Sequence, residues 1–236
     1  MEVFMYYYGY GFDWTYILLI IGMVISGIAS ARVTSTFRKY ARVPSTTGMT
    51  GADAARKILY SEGITDVEVQ HISGELTDHY NPSTKTVNLS DATYGSSSVA
   101  AVGVAAHECG HVIQHHTGYA PLNFRTALVP VANIGSRLGI PLVMIGMLFS
   151  YNAVLIKAGI IVFSFGVLFQ LVTLPVEFDA SARALKLLGS LGILNPDEVR
   201  DSRKVLGAAA MTYVASAFAA ILSLLRLVLL FGRRRD

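Results

Sequence analysis

The sequence predicts a mainly α-helical membrane protein in which transmembrane helices surround a small α+β domain. Two observations predict this class. Of 236 residues, 53% are hydrophobic and only 15% are charged, and the mean hydropathy of +0.49 is too high for an ordinary soluble domain. The hydrophobic residues also lie in long runs, whereas residues 43–122 have the mixed composition of a folded domain.

The first apolar run covers residues 14–30, about seventeen positions without a charge, which is near the minimum length for a spanning helix. The Tyr- and Gly-rich residues 4–12 predict an interfacial aromatic belt. Four basic residues follow between positions 32 and 42, so the positive-inside rule predicts that this helix exits into the cytoplasm. Residues 29–31 (ASA) resemble a signal-peptidase site, but no basic residue precedes the run, which favours an uncleaved anchor over a cleaved signal.

The polar stretch contains signals for one helix and a small sheet. Thr50 and Asp53 form a capping box, which predicts that a helix begins there. Residues 66–71 alternate between apolar and polar side chains as a strand does, and residues 74–90 have the pattern of a hairpin. An apolar helix is then expected to begin at Val99.

Three further apolar runs follow the polar domain. They cover residues 138–149, with an extension back to position 129, then 154–176 and 208–231. The first is short, so a re-entrant or interfacial helix is the alternative to a span. Of the 19 Lys and Arg residues, 14 lie at positions 32–137 and 183–204, which favours a cytoplasmic domain. Four spans would then leave the arginines at 233–235 outside, unless the last helix is tilted or interfacial and they snorkel back.

The strongest chemical signal is the stretch AAHECGHVIQHH at residues 105–116, which contains an HExxH motif at residues 107–111. On a helix, His107 and His111 lie one turn apart on the same face, where both imidazoles can bind one Zn²⁺, and Glu108 can address a metal-bound water. The only cysteine, Cys109, lies inside this motif, so no disulfide framework is expected. We find no pattern of stacking aromatic residues that would indicate nucleic-acid binding.

A catalytic zinc site needs a third protein ligand. The metzincin extension is absent, because Gln114 and Thr117 stand where glycine and histidine would be required. His115 and His116 are more typical of a helix end than of a ligand set. A glutamate on a second helix remains, and of the seven glutamates Glu177 is the best placed, since it ends an apolar run where an unpaired charge is costly. The alternative is an interfacial carboxylate paired with Arg183 or Lys186.

Five stretches of the chain resemble the YugP-type bacterial membrane neutral zinc metallopeptidases. They are TGMTGADAARKIL (47–59), LTDHYNPSTKTVNLS (76–90), VAAHECGHVIQH (104–115), ALVPVANIGSR (127–137) and LVTLPVEFDASARAL (171–185). The resemblance implies a zinc endopeptidase of a bacterial plasma membrane, with His107 and His111 as ligands and Glu108 as the catalytic carboxylate. The similarity to gluzincins suggests Glu177 as the third ligand of a zincin-like domain.

One position departs from the gluzincin pattern. The aspartate usually found four residues after the ligand glutamate, where it orients a histidine, is Ser181 here. Asp179 could act in its place, so both are candidate outer-layer residues. Candidates for a donor to the oxyanion of the reaction are His79, Tyr80 and Tyr213.

These observations predict three segments. An anchor occupies residues 1–31, a cytoplasmic zincin-like domain residues 32–125, and membrane helices residues 126–236, with a cytoplasmic helical part at about 177–207. The predicted function is hydrolysis of peptide bonds by a zinc-activated water with Glu108 as general base, one zinc per chain, acting on membrane proteins or their cytoplasmic segments in quality control. The alternatives are an intramembrane-cleaving protease and a non-catalytic, zinc-stabilised scaffold. Partners are then protein substrates and the lipid bilayer, with a homo-oligomer or a partner membrane protein left open.

Overall fold

The computed structural model describes residues 13–232, and this part of the chain is mainly helical. Its helices are α1 Tyr16–Tyr40, α2 Gly51–Ser61, α3 Val99–His116, α4 Ala120–Leu148, α5 Ala153–Ser190 and α6 Pro196–Phe231. Its strands are β1 Glu68–His71, β2 His79–Asn81 and β3 Thr86–Leu89. The predicted aromatic belt at residues 4–12 and the arginines at 233–235 lie outside the described residues.

Four helices, α1, α4, α5 and α6, are long and apolar enough to cross a membrane. In each, between 6% and 22% of the most apolar window is buried, so most of its surface is open to contact with lipid. The short run predicted at residues 138–149 is the end of α4, a continuous helix of 29 residues that begins at Ala120. This run is therefore part of a continuous long helix and not of a re-entrant segment. The α1 helix also continues unbroken through residues 29–31.

The chain forms two compact units, and the first is composed largely of membrane-helix residues. This apolar unit includes, within the described chain, residues 13–28, 128–170 and 215–232. Glycines allow α4 and α5 to pack closely in it. A Cβ added at Gly139 would lie 2.7 Å from Cβ of Phe163, and one at Gly159 would lie 2.7 Å from a methyl group of Val143. These glycines therefore serve packing within one chain.

The second unit, here called the site unit, contains the polar domain and the adjoining helix segments. It consists of residues 29–127 and 171–214. Its core is formed by α2, α3, the sheet and the end of α5, with Ile58, Leu89, Val102 and Leu188 fully buried. Burial of such apolar side chains is the main stabilising contribution to a domain of this kind.

The sheet has the strand order β1-β3-β2, with β2 and β3 antiparallel and β1 parallel to β3. The predicted hairpin and strand are confirmed, and so is the capping box, in which Thr50 and Asp53 bond reciprocally at the start of α2. Strand β2 is an edge of the sheet and contacts α3. This arrangement brings the backbone of the hairpin to the helix that carries the HExxH motif.

Candidate metal centre

Helix α3 presents both histidines of the motif on one face. The helix begins at the N-cap Ser98, whose side chain accepts a hydrogen bond from the backbone N–H of Ala101. The ring centroids of His107 and His111 are 4.7 Å apart, and the rings are nearly perpendicular at 82°. The spacing predicted from the sequence is therefore realised, and both rings face the neighbouring helix α5.

Glu177 of α5 meets the two imidazoles. Its carboxylate Oε2 lies 3.4 Å from Nε2 of His107 and 3.5 Å from Nε2 of His111. The Glu177 side chain is only 4% exposed. Burial lowers the pKa of His111, but its contact with Glu177 and the charge of Glu108 outweigh this effect and raise the pKa. The local field is therefore negative and favours a bound cation.

The donor set fits a zinc ion. Two imidazole nitrogens and one carboxylate oxygen at tetrahedral zinc, with bonds of 2.0–2.2 Å, would lie about 3.3 Å apart, close to the two distances from Glu177 Oε2. The candidate ligand atoms of all three residues lie within 4.8 Å of one another. Oε2 of Glu177 is buried and has no hydrogen-bond partner among the described residues. Such an orphaned oxygen is costly unless a cation satisfies it.

A glycine permits this convergence of α3 and α5. Gly110 stands between the two histidines in sequence and packs against the backbone of Ala180, where an added Cβ would lie 2.4 Å from the carbonyl oxygen. No side chain fits at such a distance without a shift of one helix. The close approach at Gly110 therefore sets the separation between the histidines and Glu177.

Glu108 lies beside the cluster without belonging to it. Its side chain is largely buried, and its Oε2 accepts a hydrogen bond of 2.9 Å from the backbone N–H of Tyr80 on β2. Glu108 lines the same two cavities as His107 and Glu177. Its carboxylate is thus held near the candidate metal position by the edge strand of the sheet.

The family relationship supports this interpretation of the centre. Residues 15–232 match the family described as "Putative neutral zinc metallopeptidase". The chain belongs to this family. The "Putative membrane protease YugP" of Bacillus subtilis (strain 168) is 43% identical over 219 residues, which cover 93% of this chain and 97% of the relative. No solved structure matches the chain.

Membership in this family implies zinc as the metal, and His107, His111 and Glu177 form the candidate site for it. The resemblance seen in the sequence is confirmed at the level of the family. Zinc takes nitrogen and oxygen ligands of this type in catalytic sites.

Gln114, which the sequence did not single out as functional, orients His111. Its fully buried amide Nε2 donates to the carbonyl oxygen of Val176 at 2.7 Å and to Oδ2 of Asp179 at 2.9 Å. Its Oε1 therefore faces Nδ1 of His111, 3.0 Å away. Because Oε1 can only accept, Nδ1 carries the hydrogen and the Nε2 lone pair is directed at the centre.

Asp179 and Ser181, the two outer-layer candidates, both lie close to the histidines or to a residue that contacts them. Asp179 reaches His111 through Gln114, and it also accepts a hydrogen bond of 2.6 Å from Nε of Arg183. Ser181 Oγ lies 3.1 Å from Nδ1 of His107. Arg183 therefore pairs with Asp179, and the alternative in which it pairs with Glu177 does not hold.

Arg125, at the start of α4, is a second residue that sequence reasoning missed. Its Nη1 lies 3.7 Å from Oε1 of Glu177, the carboxylate oxygen that does not face the histidines. A signal was present, since Arg125 is the one basic residue in the first turns of an apolar helix. It anchors one oxygen of Glu177 and leaves the other directed at the imidazoles.

The three candidates for an oxyanion donor differ in position. The ring of His79 is engaged in its own loop, with Nδ1 2.8 Å from the carbonyl oxygen of Thr77 and Nε2 3.1 Å from the Asn88 amide. The Tyr80 ring packs edge-on against His115. Tyr213 of α6, by contrast, lines both cavities that contain Glu108 and Glu177. His115 and His116 are outside the three-residue cluster.

Proposed function

We propose that this protein is a membrane-bound, zinc-dependent endopeptidase, with one zinc ion held by His107, His111 and Glu177. The observation that carries the proposal is the convergence of two imidazoles and one buried carboxylate, with a second carboxylate, that of Glu108, beside them. This is the combination that metal-assisted hydrolysis requires.

Glu108 is the general base and later the general acid. When bound, zinc would act as a Lewis acid that polarises the substrate carbonyl and lowers the pKa of water. The Glu108 carboxylate takes the proton from the attacking water and delivers it to the leaving amine. The Tyr80 N–H, which bonds to one oxygen of this carboxylate, keeps it in one orientation through both transfers.

Tyr213 is the donor to the developing oxyanion in this proposal. A phenol O–H can donate one hydrogen bond, and Tyr213 borders both the Glu108 and the Glu177 sides of the centre. A donor directed at the position where charge develops is typically worth 10²–10³-fold in kcat. Replacement of Tyr213 by Phe tests this role.

The substrates we propose are membrane proteins or their cytoplasmic segments, cleaved near the surface of a bacterial plasma membrane in quality control. Glu177 follows the apolar run of residues 154–176 directly, which favours a centre close to the bilayer surface. The basic residues favour a cytoplasmic site unit. The edge strand β2 is the candidate place at which an extended substrate binds, and the Bacillus relative is itself named a membrane protease.

A structural zinc site in a non-catalytic scaffold is the rival function. Structural sites are almost always closed by four protein ligands. In residues 13–232, only three metal-binding side chains converge here. A fourth position that is left for substrate or water supports the enzyme.

The test compares zinc content with cleavage in detergent-purified protein, using casein or a membrane protein with and without a chelator. Glu108→Gln should keep zinc and lose roughly 10²–10⁴-fold in rate, whereas Glu177→Ala should lose zinc as well. Glu62→Gln, at an exposed glutamate after α2, is the control and should do neither. Turnover that persists in Glu108→Gln, or unchanged zinc in Glu177→Ala, contradicts the assignment.

A further inference from the structure

A cavity of about 220 Å³ lies in the site unit next to the candidate metal centre. At one end it is bordered by His107, Glu108 and Glu177. Its walls come from α1, α3 and α6 and are largely apolar, with Val33, Phe37, Val104, Val205, Leu206 and Ala209 among them. The cavity is larger than the proposed chemistry at the centre needs.

Residues of helix α6 line the cavity from one end to the other. Val205, Ala209 and Tyr213 follow one another every four residues and share one face of the helix, at intervals of about 6 Å. Tyr213 lies at the end beside Glu177. Val205 lies at the other end, where it belongs to a buried cluster with Phe37. Ala209 therefore lies halfway along the cavity, and its small side chain keeps the far half open.

We propose that this cavity is a specificity pocket for one large apolar side chain, leucine or phenylalanine, of a residue next to the scissile bond, and that Ala209 sets its depth. The proposal rests on the proposed peptidase function. Burial of an apolar side chain against such walls is favourable, because it removes apolar surface from water. A small side chain such as that of alanine would leave most of the cavity unfilled.

The residues that line the cavity disfavour acidic and basic side chains as occupants. Asp78 and Glu108 line the cavity and are not zinc ligands, so an acidic side chain or an anionic lipid headgroup would be repelled. A lysine or arginine side chain would place its cation between Val205 and Phe37, against apolar walls where desolvation is costly. A neutral apolar side chain avoids both the repulsion by the carboxylates and the desolvation cost at the apolar walls.

The first test uses the zinc-loaded, detergent-purified protein with a degenerate peptide library, the cut sites being identified by mass spectrometry. At one of the two positions that flank the cut, we expect Phe and Leu to be favoured over Ala on the order of a hundredfold in kcat/KM. Ala209→Phe should reduce cleavage at Phe and Leu by at least about tenfold and thereby remove most of their advantage over Ala. Met211→Phe, which places the same aromatic side chain at an exposed position of the same helix, should leave the preference as in the wild type.

The second test measures binding without turnover. In Glu108→Gln protein, a fluorescent peptide with Phe at the selected position should bind at least about tenfold more tightly than its Ala counterpart, and adding Ala209→Phe should remove the difference. Ala209→Val, a smaller change, should give an intermediate result if Ala209→Phe does not fold. Cleavage without any preference for side-chain size overturns the pocket alone. A binding preference without cleavage of any peptide overturns the proposed function and leaves the pocket supported.

Discussion

Gly110 lies directly against the backbone of Ala180, so closely that a Cβ on Gly110 would be 2.4 Å from the Ala180 carbonyl oxygen. Gly110 is part of the HExxH stretch, and Ala180 follows Glu177 by three residues on α5. The contact therefore joins the two halves of the candidate metal centre. Any side chain at position 110 must push the histidines away from Glu177.

Gly110→Ala is predicted to destabilise the site unit and to weaken zinc binding. Overpacking of a tight contact typically costs about 1–3 kcal/mol, and a shift of α3 also lengthens the distances to Glu177. The measurements are thermal unfolding in detergent and zinc affinity by chelator competition. Gly207→Ala is the control, because a Cβ there meets nothing within 4 Å on a helix. It should be neutral or stabilising by roughly 0.4–1 kcal/mol. Equal behaviour of the two variants would contradict the argument.

Replacement of Gln114 by Leu is predicted to lower the affinity for zinc by roughly 10–100-fold, as is typical when a partner of a metal-binding histidine is lost. The change leaves Nδ1 of His111, the Val176 carbonyl and one oxygen of Asp179 without the Gln114 amide. Competition with a chelator gives the affinity. NMR of ¹⁵N-labelled histidine provides a second readout, since the His111 tautomer should be fixed in the wild type and mixed in the variant.

Gln114→Glu distinguishes orientation from mere polarity. A carboxylate can still accept from His111, but it cannot donate to Val176 and Asp179, and its charge is repelled by Asp179. It should therefore not restore wild-type affinity. Gln70→Leu, at an exposed position of β1, is the matched control and should bind zinc normally. Full rescue by Gln114→Glu would show that the amide donor bonds are unimportant.

The motif half of the site is predictable from sequence, because the ligands lie one helical turn apart and the local period alone places them on one face. Glu177 is also predictable, since a lone carboxylate at the end of an apolar run needs a partner. The sequence does not, however, reveal the distances between residues on different helices. Position 110 carries no sign that its glycine faces a backbone some seventy residues further along the chain.

The contacts of the residues that surround His107 and His111 could not be predicted from the sequence for the same reason. Gln114 is one turn beyond His111 and resembles any polar residue near a helix end, so its role depends on the Val176 carbonyl and Asp179, which only the packing of α3 on α5 brings to it. Ser181 is a departure from the gluzincin pattern in sequence, yet it occupies the position beside His107. Local periodicity predicts elements and faces, whereas partners across elements depend on packing.

Arg125→Ala is predicted to destabilise the metal-free protein more than the zinc-loaded protein. Without zinc, the Arg125 cation, 3.7 Å from Oε1, compensates part of the charge of the buried Glu177. With zinc bound, that compensation comes from the metal. Melting temperatures with zinc and with chelator should therefore differ more in the variant than in the wild type. Arg125→Lys should lie between the two, because it keeps the charge and loses the planar donor.

The Thr50–Asp53 capping box predicts a pH-dependent contribution to stability. Hydrogen bonds from the side chain and then the backbone N–H of Thr50 lower the pKa of Asp53. Because its folded-state pKa lies below the unfolded value of about 3.9, Asp53 stabilises the fold above that pH, and the contribution is lost as the pH falls through the folded value. Asp53→Asn should thus be less stable than the wild type at pH 7, by no more than about 1 kcal/mol, and the difference should shrink as the pH falls below about 3.9. Thr50→Ala should reduce the loss of stability at acid pH, because it removes the hydroxyl that helps to lower the pKa of Asp53. If the stabilities of wild type and variants fall in parallel with pH, the prediction is wrong.

The orientation in the membrane can be tested with introduced cysteines, because Cys109 is fully buried and burial raises the pKa of its thiol, which keeps it unreactive. Ser150 lies in the turn after α4, and Ser190 is the last residue of α5; both are exposed. With the site unit in the cytoplasm, a membrane-impermeant maleimide should label Ser150→Cys in intact cells and Ser190→Cys only after permeabilisation. The opposite pattern would place the candidate metal centre outside the cell. Substrate segments on the cytoplasmic face could then not reach Glu108.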